Sequence, residues 1–245
     1  MMAAAYGYAR AHGKVCAINL HQVCVDSHSS TDYMGTVFRN FPRTEAPPDT
    51  VLKEALEGVN SINYTPLRYA DGTVLLHGYF QSLHYLEGYL DDFVRQLVLP
   101  AVPSRPNAAF VHFRRTDYLT NGILNFDLTT YYARALAALC AHVGGPFTLT
   151  VFSDDLSWCR AHPPAVPPQV TVTYVDERDA ALSLALMASC ELGGVCPNST
   201  FSWWGACLNP NPTKFVTFPS LWFVDCEGRN GVSEDAPWAR IIPVE

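Results

Sequence analysis

Charge is scarce in this 245-residue sequence: Asp, Glu, Lys and Arg supply only 16% of it, against roughly a quarter in ordinary globular chains. Basic charge is scarcer than acidic, with 16 Lys plus Arg against 23 Asp plus Glu and a formal net charge of −7. Such a balance gives no general attraction to nucleic acid or anionic membrane, so local basic pairs must carry any anion binding. Long apolar runs are also missing. The stretch around residues 181–188 is far shorter than a bilayer span, and no basic segment followed by an apolar run opens the chain. The expectation is a chain with no membrane segment, cytoplasmic as it stands. The 15 glycines and 18 prolines are at ordinary frequency, which excludes collagen-like and low-complexity architectures. No CxxC pair occurs among the eight cysteines, and segments such as Leu139-Cys140 and Ala206-Cys207 place them among apolar neighbours. They read as mainly free, buried thiols rather than zinc ligands or a disulfide framework.

The sequence does have a large apolar fraction, 49%, in a chain long enough for one large or two modest domains. Residues 1–13 read as a helix ended by Gly13, and VCAINL as a strand. A polar, proline-punctuated loop leads to a short helix expected from Asp49 or Thr50, then TVLLHGYFQS as strand and turn. SLHYLEGYLDDFVRQLVLP carries apolar residues at intervals of three and four, predicting one long amphipathic helix with Asp91 and Asp92 toward solvent. AVPSRPN, residues 101–107, is the predicted linker, dividing the chain into domains 1–104 and 105–245. Beyond it, strands at 108–114, 147–152, 170–175, 192–196 and 215–218 alternate with helices at about 129–142, 154–161, 179–190 and 200–208. That alternation predicts an α/β fold with a parallel sheet covered on both faces, and ligands beyond the strands' carboxyl ends.

Three strand ends carry the chemistry. HFRRTDY places His112, Arg114, Arg115, Asp117 and Tyr118 at the first. Alternation forbids both guanidiniums from entering the core, so they form either a solvated cluster with Asp117 or a fork for a diphosphate. FSDD ends the second: Ser153 or Asp154 is expected to cap the next helix, leaving Asp155 free to accept paired N–H or hydroxyl donors. A divalent ion is the lesser alternative there, since no DxD triplet stands nearby. Asp176, Glu177 and Asp179 suit the start of a helix by its dipole. CPNSTFSWWGAC opens the last helix, whose first amides after Asn198, Ser199 and Thr200 can hold phosphate. Asn198 and Asn63 also satisfy the N-glycosylation pattern formally.

Taken together, HFRRTDY, FSDDLSWC and PNSTFSWWGACLN resemble the α-1,2-fucosyltransferase family, where similar HxRRxDY, FSDD and NSSFSWWGAWL segments occur. LLHGYFQSLHYL is similar to that family's GYWQSEKYF, and residues 1–14 to the helix after its first glycine-rich loop, so the likeness covers nearly the whole chain. The resemblance implies a GT-B-like, inverting, usually metal-independent enzyme of two Rossmann-like domains with the donor site in the second. It transfers fucose from GDP-β-L-fucose to the 2-hydroxyl of a terminal galactose, so the implied partners are GDP-fucose and a galactose-terminated glycan acceptor, with no cofactor. By motif, His112, Arg114, Arg115, Asp155, Ser199, Thr200 and Phe201 take donor-binding roles, with Arg115 on the diphosphate, Asp155 on guanine and Phe201 packing nearby. Arg115 and Asp117 are the candidate catalytic residues, Asp117 as base or as an arginine-orienting group. Two departures stand out. Cys207 replaces a Trp, and the family's first strand and GNQ loop precede the point where this chain enters, implying an incomplete N-terminal domain. The alternatives are a noncatalytic nucleotide- or glycan-binding remnant of this fold, a different acceptor linkage, and a Golgi-lumenal location if an anchor precedes the chain.

Overall fold

All six residues of AAFVHF are buried, and this run forms the central strand of a six-stranded sheet. The computed structural model describes residues 1–21, 32–54, 64–224 and 236–245. They fall into two compact units, Met1–Leu99 and Pro100–Glu245.

In unit 1, α1 (Met2–Ala11) buries Ala4 and Tyr8 against Leu52, Leu76, Phe80 and Tyr85. Two parallel strand pairs accompany it among the described residues: β1 (Ile18–Asn19) with β2 (Arg43–Thr44), and β3 (Thr50–Lys53) with β4 (Val74–His77). The expected helix from Asp49 or Thr50 is therefore a strand. Asp49 does not cap a helix; its Oδ2 accepts the Thr73 N–H at 2.7 Å, and Leu52 reaches the core through pairing with Leu76. Tertiary pairing overrides a weak local preference here. The long helix expected after Ser82 is also broken. A 3-10 turn at Leu83–Leu86 is followed by Gly88 at φ 77, a left-handed conformation that no α-helix continues through. Only α2 (Leu90–Gln96) is α-helical. Asp91 is exposed as expected, but Asp92 is half-buried and paired with Arg10 and Arg95.

Unit 2 follows the predicted alternation: β5 (Ala108–Phe113), α3 (Thr129–Val143), β6 (Phe147–Ser153), α4 (Leu156–Ala161), β7 (Val170–Tyr174), α5 (Ala180–Ala188), β8 (Gly193–Val195), α6 (Thr200–Cys207), β9 (Phe215–Pro219) and β10 (Ala239–Ile242). All six strands are parallel, in the order β10-β9-β8-β5-β6-β7. This is the Rossmann-like α/β architecture that the alternation predicted. Arg105, in the proline-rich stretch, pairs with Cys190 and so belongs to this unit. The core lies between β5, β6, β8 and α3, where Val111, Tyr131, Ala135, Leu139, Leu149, Val151 and Val195 are wholly buried. Tyr131 fastens α3 to the sheet by donating to the Cys196 carbonyl and meeting Thr217 Oγ1 at 3.1 Å. The chain builds outward from β5 to β7, then returns to lay β8 on the other side of β5. That reversal leaves a crevice at the carboxyl ends of β5 and β8, the usual place for a ligand in an open parallel sheet.

Cys159, Cys190 and Cys196 are buried free thiols; Cys24 and Cys226 lie outside the described residues. Burial, opposed by the Arg105 charge and a hydrogen bond with Thr150, pushes the Cys190 thiol up to about 11. Among the described residues no helix is long and apolar enough to cross a membrane.

Candidate functional site

Near the carboxyl end of β5 stands His112, only 4% exposed. Burial, opposed by Asp154 and aided by Arg114, lowers its pKa to about 4, so the imidazole is neutral at pH 7. Its ring lies 5.8 Å from that of Phe201 on the first turn of α6, and its Nδ1 is buried without a hydrogen-bond partner. This pairing brings the β5 end and the α6 start together across the crevice.

The two arginines after the strand diverge. Arg114 forms an ion pair through Nη2 with Asp117 Oδ1 at 2.8 Å, and its Nη1 lies 3.4 Å from Asp154 Oδ2. Its guanidinium also sits 5.5 Å from the centre of the Tyr118 ring, whose hydroxyl donates to the Asn198 carbonyl at 3.1 Å. Arg114 is thus tied into the β5–β8 side of the site. Arg115 turns toward β6. Its carbon Cζ stacks 3.7 Å from the Trp158 ring centre and Nε meets Asp155 Oδ2 at 3.4 Å, leaving both Nη groups unengaged among the described residues. Cation–π stacking of this kind holds a guanidinium plane while its edge stays open.

The capping role falls to a different residue from those the sequence suggested. Asp155, not Ser153 or Asp154, caps α4 by accepting the Trp158 N–H at 3.0 Å, while Ser153 Oγ accepts the Asp155 N–H. Asp154 instead reaches across to β5, accepting the Arg115 N–H at 2.9 Å and the Thr116 hydroxyl at 2.6 Å. Geometry decides this: a helix beginning at Leu156 puts position 155 at the cap, where a carboxylate meets the third N–H beyond it. Asp179 caps α5 in the same manner, accepting from Ala181 and Leu182, in line with the helix-start reading. Asp176 is exposed.

Ser199 precedes α6, is 4% exposed, and offers no side-chain cap to the helix. The first amides of α6 therefore lack that partner. Thr200 is exposed on the first turn. Asn198 is 1% exposed; its Nδ2 donates to the carbonyls of Trp222 at 2.9 Å and Leu124 at 3.3 Å. An amide so enclosed is inaccessible to glycosylation in the folded chain. Asn63, the other formal acceptor, lies outside the described residues.

Two linked clusters result. His112, Arg114, Asp117, Ser199 and Phe201 gather around Tyr118 and Asn198, Arg115 and Asp155 gather on Trp158, and Asp154 links the two by meeting Arg114 and the Arg115 N–H; no hydrogen bond joins Arg115 to Ser199 or Thr200. Sequence reasoning missed Thr116, Asp154 and Trp158 as parts of this arrangement. Trp158 had a signal, three residues after the cap and therefore back over the strand end. Among the described residues no group of three or more His, Cys, Asp or Glu is arranged to hold a metal ion. Chemically, the site offers a neutral imidazole, a fixed guanidinium fork, open helix amides and a carboxylate, a set suited to an anionic leaving group and a hydroxyl proton.

Residues 67–222 match the family model for glycosyl transferase family 11. An O-antigen biosynthesis glycosyltransferase, WbnK, of Escherichia coli is 35% identical over 124 residues, 48% of this chain and 39% of that protein. An alpha-1,2-colitosyltransferase of the same species is 28% identical over 140 residues, 55% of this chain and 48% of that protein. The matches thus span less than half the length of either relative.

Proposed function

The chain belongs to glycosyl transferase family 11, and from that premise we propose that it transfers L-fucose, with inversion, from GDP-β-L-fucose to the 2-hydroxyl of a terminal galactose. The observation that carries this reading is Arg115, a guanidinium fixed against Trp158 beside the sheet's switch point with both Nη groups unengaged among the described residues. As the bond between fucose C1 and the diphosphate oxygen breaks, negative charge grows on GDP and the sugar ring gains oxocarbenium character. Arg115 offers a bidentate fork to that charge, and the open amides of α6 add dipolar stabilisation. The galactose 2-hydroxyl attacks from the opposite face, and its proton passes to a carboxylate late in the transition state. Asp117 takes that proton in this scheme, while Arg114, bound to it, holds its orientation. His112 stays neutral and contributes shape and a hydrogen bond rather than charge. Arg115 and the α6 amides provide the compensation that a magnesium ion would otherwise supply, so the reaction needs no metal.

The name of one relative favours a second reading of the donor, in which colitose, an L-sugar lacking the 3-hydroxyl of fucose, takes the place of fucose. The test is incubation with GDP-fucose or GDP-colitose and a terminal β-galactoside, with the product linkage assigned by NMR. An α-1,2-fucosylated product supports the proposal. GDP binding without any transfer overturns it in favour of a noncatalytic nucleotide-binding protein, and exclusive use of GDP-colitose moves the donor assignment.

A further inference from the structure

Unit 1 contains an arrangement that the transfer chemistry above does not use. Glu54, directly after β3, is 8% exposed, a carboxylate almost wholly withdrawn from water. Its Oε2 accepts the backbone N–H of Tyr79 at 2.6 Å and that of Phe80 at 2.8 Å, both just beyond β4. Burying a carboxylate is costly unless it is well bonded, and these two charge-assisted bonds converge on one turn. The turn is strained as well: Phe80 has φ 50, a left-handed conformation rare for a bulky residue. Phe80 keeps that conformation because its ring is locked in the core, 5% exposed and edge-on to Tyr85 at 5.3 Å.

A buried carboxylate and a strained aromatic residue thus hold the backbone on either side of Tyr79, which is itself 65% exposed. Strain retained by over-determined packing marks a place where orientation matters. The residue whose backbone is held here carries an exposed phenol ring. From Phe80 a chain of ring contacts continues through Tyr85 to Tyr64 at 4.9 Å and on to His84 at 5.2 Å, and Tyr64 is 43% exposed. Exposed aromatic residues thus stand both on this turn, at Tyr79, and at the far end of the ring chain that starts from Phe80, at Tyr64. An exposed phenol ring with a polar edge suits a ligand that has one apolar C–H face and a rim of hydroxyls. A pyranose is such a ligand, and galactose in particular carries its C3, C4 and C5 hydrogens on one face.

We propose that Tyr79, oriented by Glu54, is a stacking platform for a pyranose ring of the glycan acceptor. Its identification with a galactoside rests on the function proposed above; the platform itself does not. Glu54 is a positioning residue on this account, touching the turn and not the sugar.

The experiment uses the full chain without donor, methyl β-galactoside as probe, and saturation-transfer NMR to map which sugar protons contact protein. The parent should show saturation concentrated on H3, H4 and H5. Y79A should lose that pattern and weaken affinity about tenfold, the size expected for one aromatic contact, with its melting temperature unchanged because the side chain is exposed. Y79F should keep both. E54Q should weaken binding severalfold with circular dichroism unchanged. In the transfer assay Y79A should raise the acceptor KM by a similar factor while leaving GDP-fucose hydrolysis within about twofold. A parent that shows no galactoside saturation overturns the platform, as does a Y79A protein that binds like the parent, or a Y79F protein as impaired as Y79A. An unaffected E54Q overturns the role of Glu54. A parent that binds galactoside but transfers nothing overturns the transfer reading and leaves the platform standing.

Discussion

Arg114 and Arg115 are neighbours with the same chemistry, and their partners separate them. Arg114 uses both terminal nitrogens on Asp117 and Asp154, whereas Arg115 is held by stacking and by Nε alone. Of the two, only Arg115 keeps a planar fork open among the described residues for the diphosphate proposed above. Replacing it with Lys preserves charge and removes the fork, so R115K should lower turnover roughly a hundredfold and R115A more, with the fold intact. Initial rates of fucose transfer paired with circular dichroism check this, and near-parental turnover in R115K would remove Arg115 from its central place. His112 sets a different expectation. Its pKa is lowered from 6.5 in the unfolded chain to about 4 in the folded one, chiefly by burial. Between those values the unfolded state binds the extra proton, so stability is greatest above pH 6.5 and falls as pH drops toward 4. The linkage is worth roughly 3 kcal/mol across that window. In H112Q the melting temperature should fall less between pH 6.5 and 4 than in the parent; parallel curves would show that His112 does not carry the effect.

Among the elements, α4 depends on a residue that also faces the site. Asp155 caps the helix through Oδ1 and meets Arg115 through Oδ2, so one side chain serves both. Asn caps as well as Asp does but carries no charge. D155N should therefore melt close to the parent while loosening Arg115, and D155A should lose about 1 kcal/mol of stability, or roughly 2–4 °C. Equal melting of all three proteins would show that the cap contributes nothing. The same element shows how far a sequence can be read. The run of β5, α3, β6, α4, β7, α5, β8, α6 and β9 was legible because buried parallel strands leave continuous apolar runs such as AAFVHF, and strand ends expose motifs such as RRTD. Which aspartate caps α4 was not, since it turns on one residue of helix start. The division of labour between the arginines was not either, because Asp154 reaches β5 from a strand 39 residues later in the chain. In unit 1, β3 was hidden because TVLK is short and the strand it pairs with, Val74–His77, is distant in the chain. Gly88 was a visible interruption of SLHYLEGYLDDF, outweighed in the periodic reading by the apolar spacing around it.

At the scale of the whole molecule, each unit has its own core, and every residue proposed to hold the donor lies in Pro100–Glu245. Binding to one unit of a two-unit chain need not stabilise the other, and unfolding then ceases to be a single transition. GDP should raise only the melting step of unit 2. A ligand at a hundred times its dissociation constant adds about 2.7 kcal/mol to the state it binds, so the shift should be several degrees. The compensating charges proposed for the diphosphate are Arg115 and the α6 amides, none of which a chelator removes. The shift should therefore be the same in excess EDTA as in magnesium or manganese, and it should shrink in R115A, which lacks the fork. Calorimetric scans of parent and R115A with GDP, each with chelator and with metal, separate the alternatives. Loss of the shift on chelation, with recovery on adding back a divalent ion, would mean that a metal bridges the diphosphate and that Arg115 does not neutralise it alone. A shift of equal size in both melting steps would mean instead that the nucleotide engages unit 1 as well, and the donor assignment to unit 2 alone would fall.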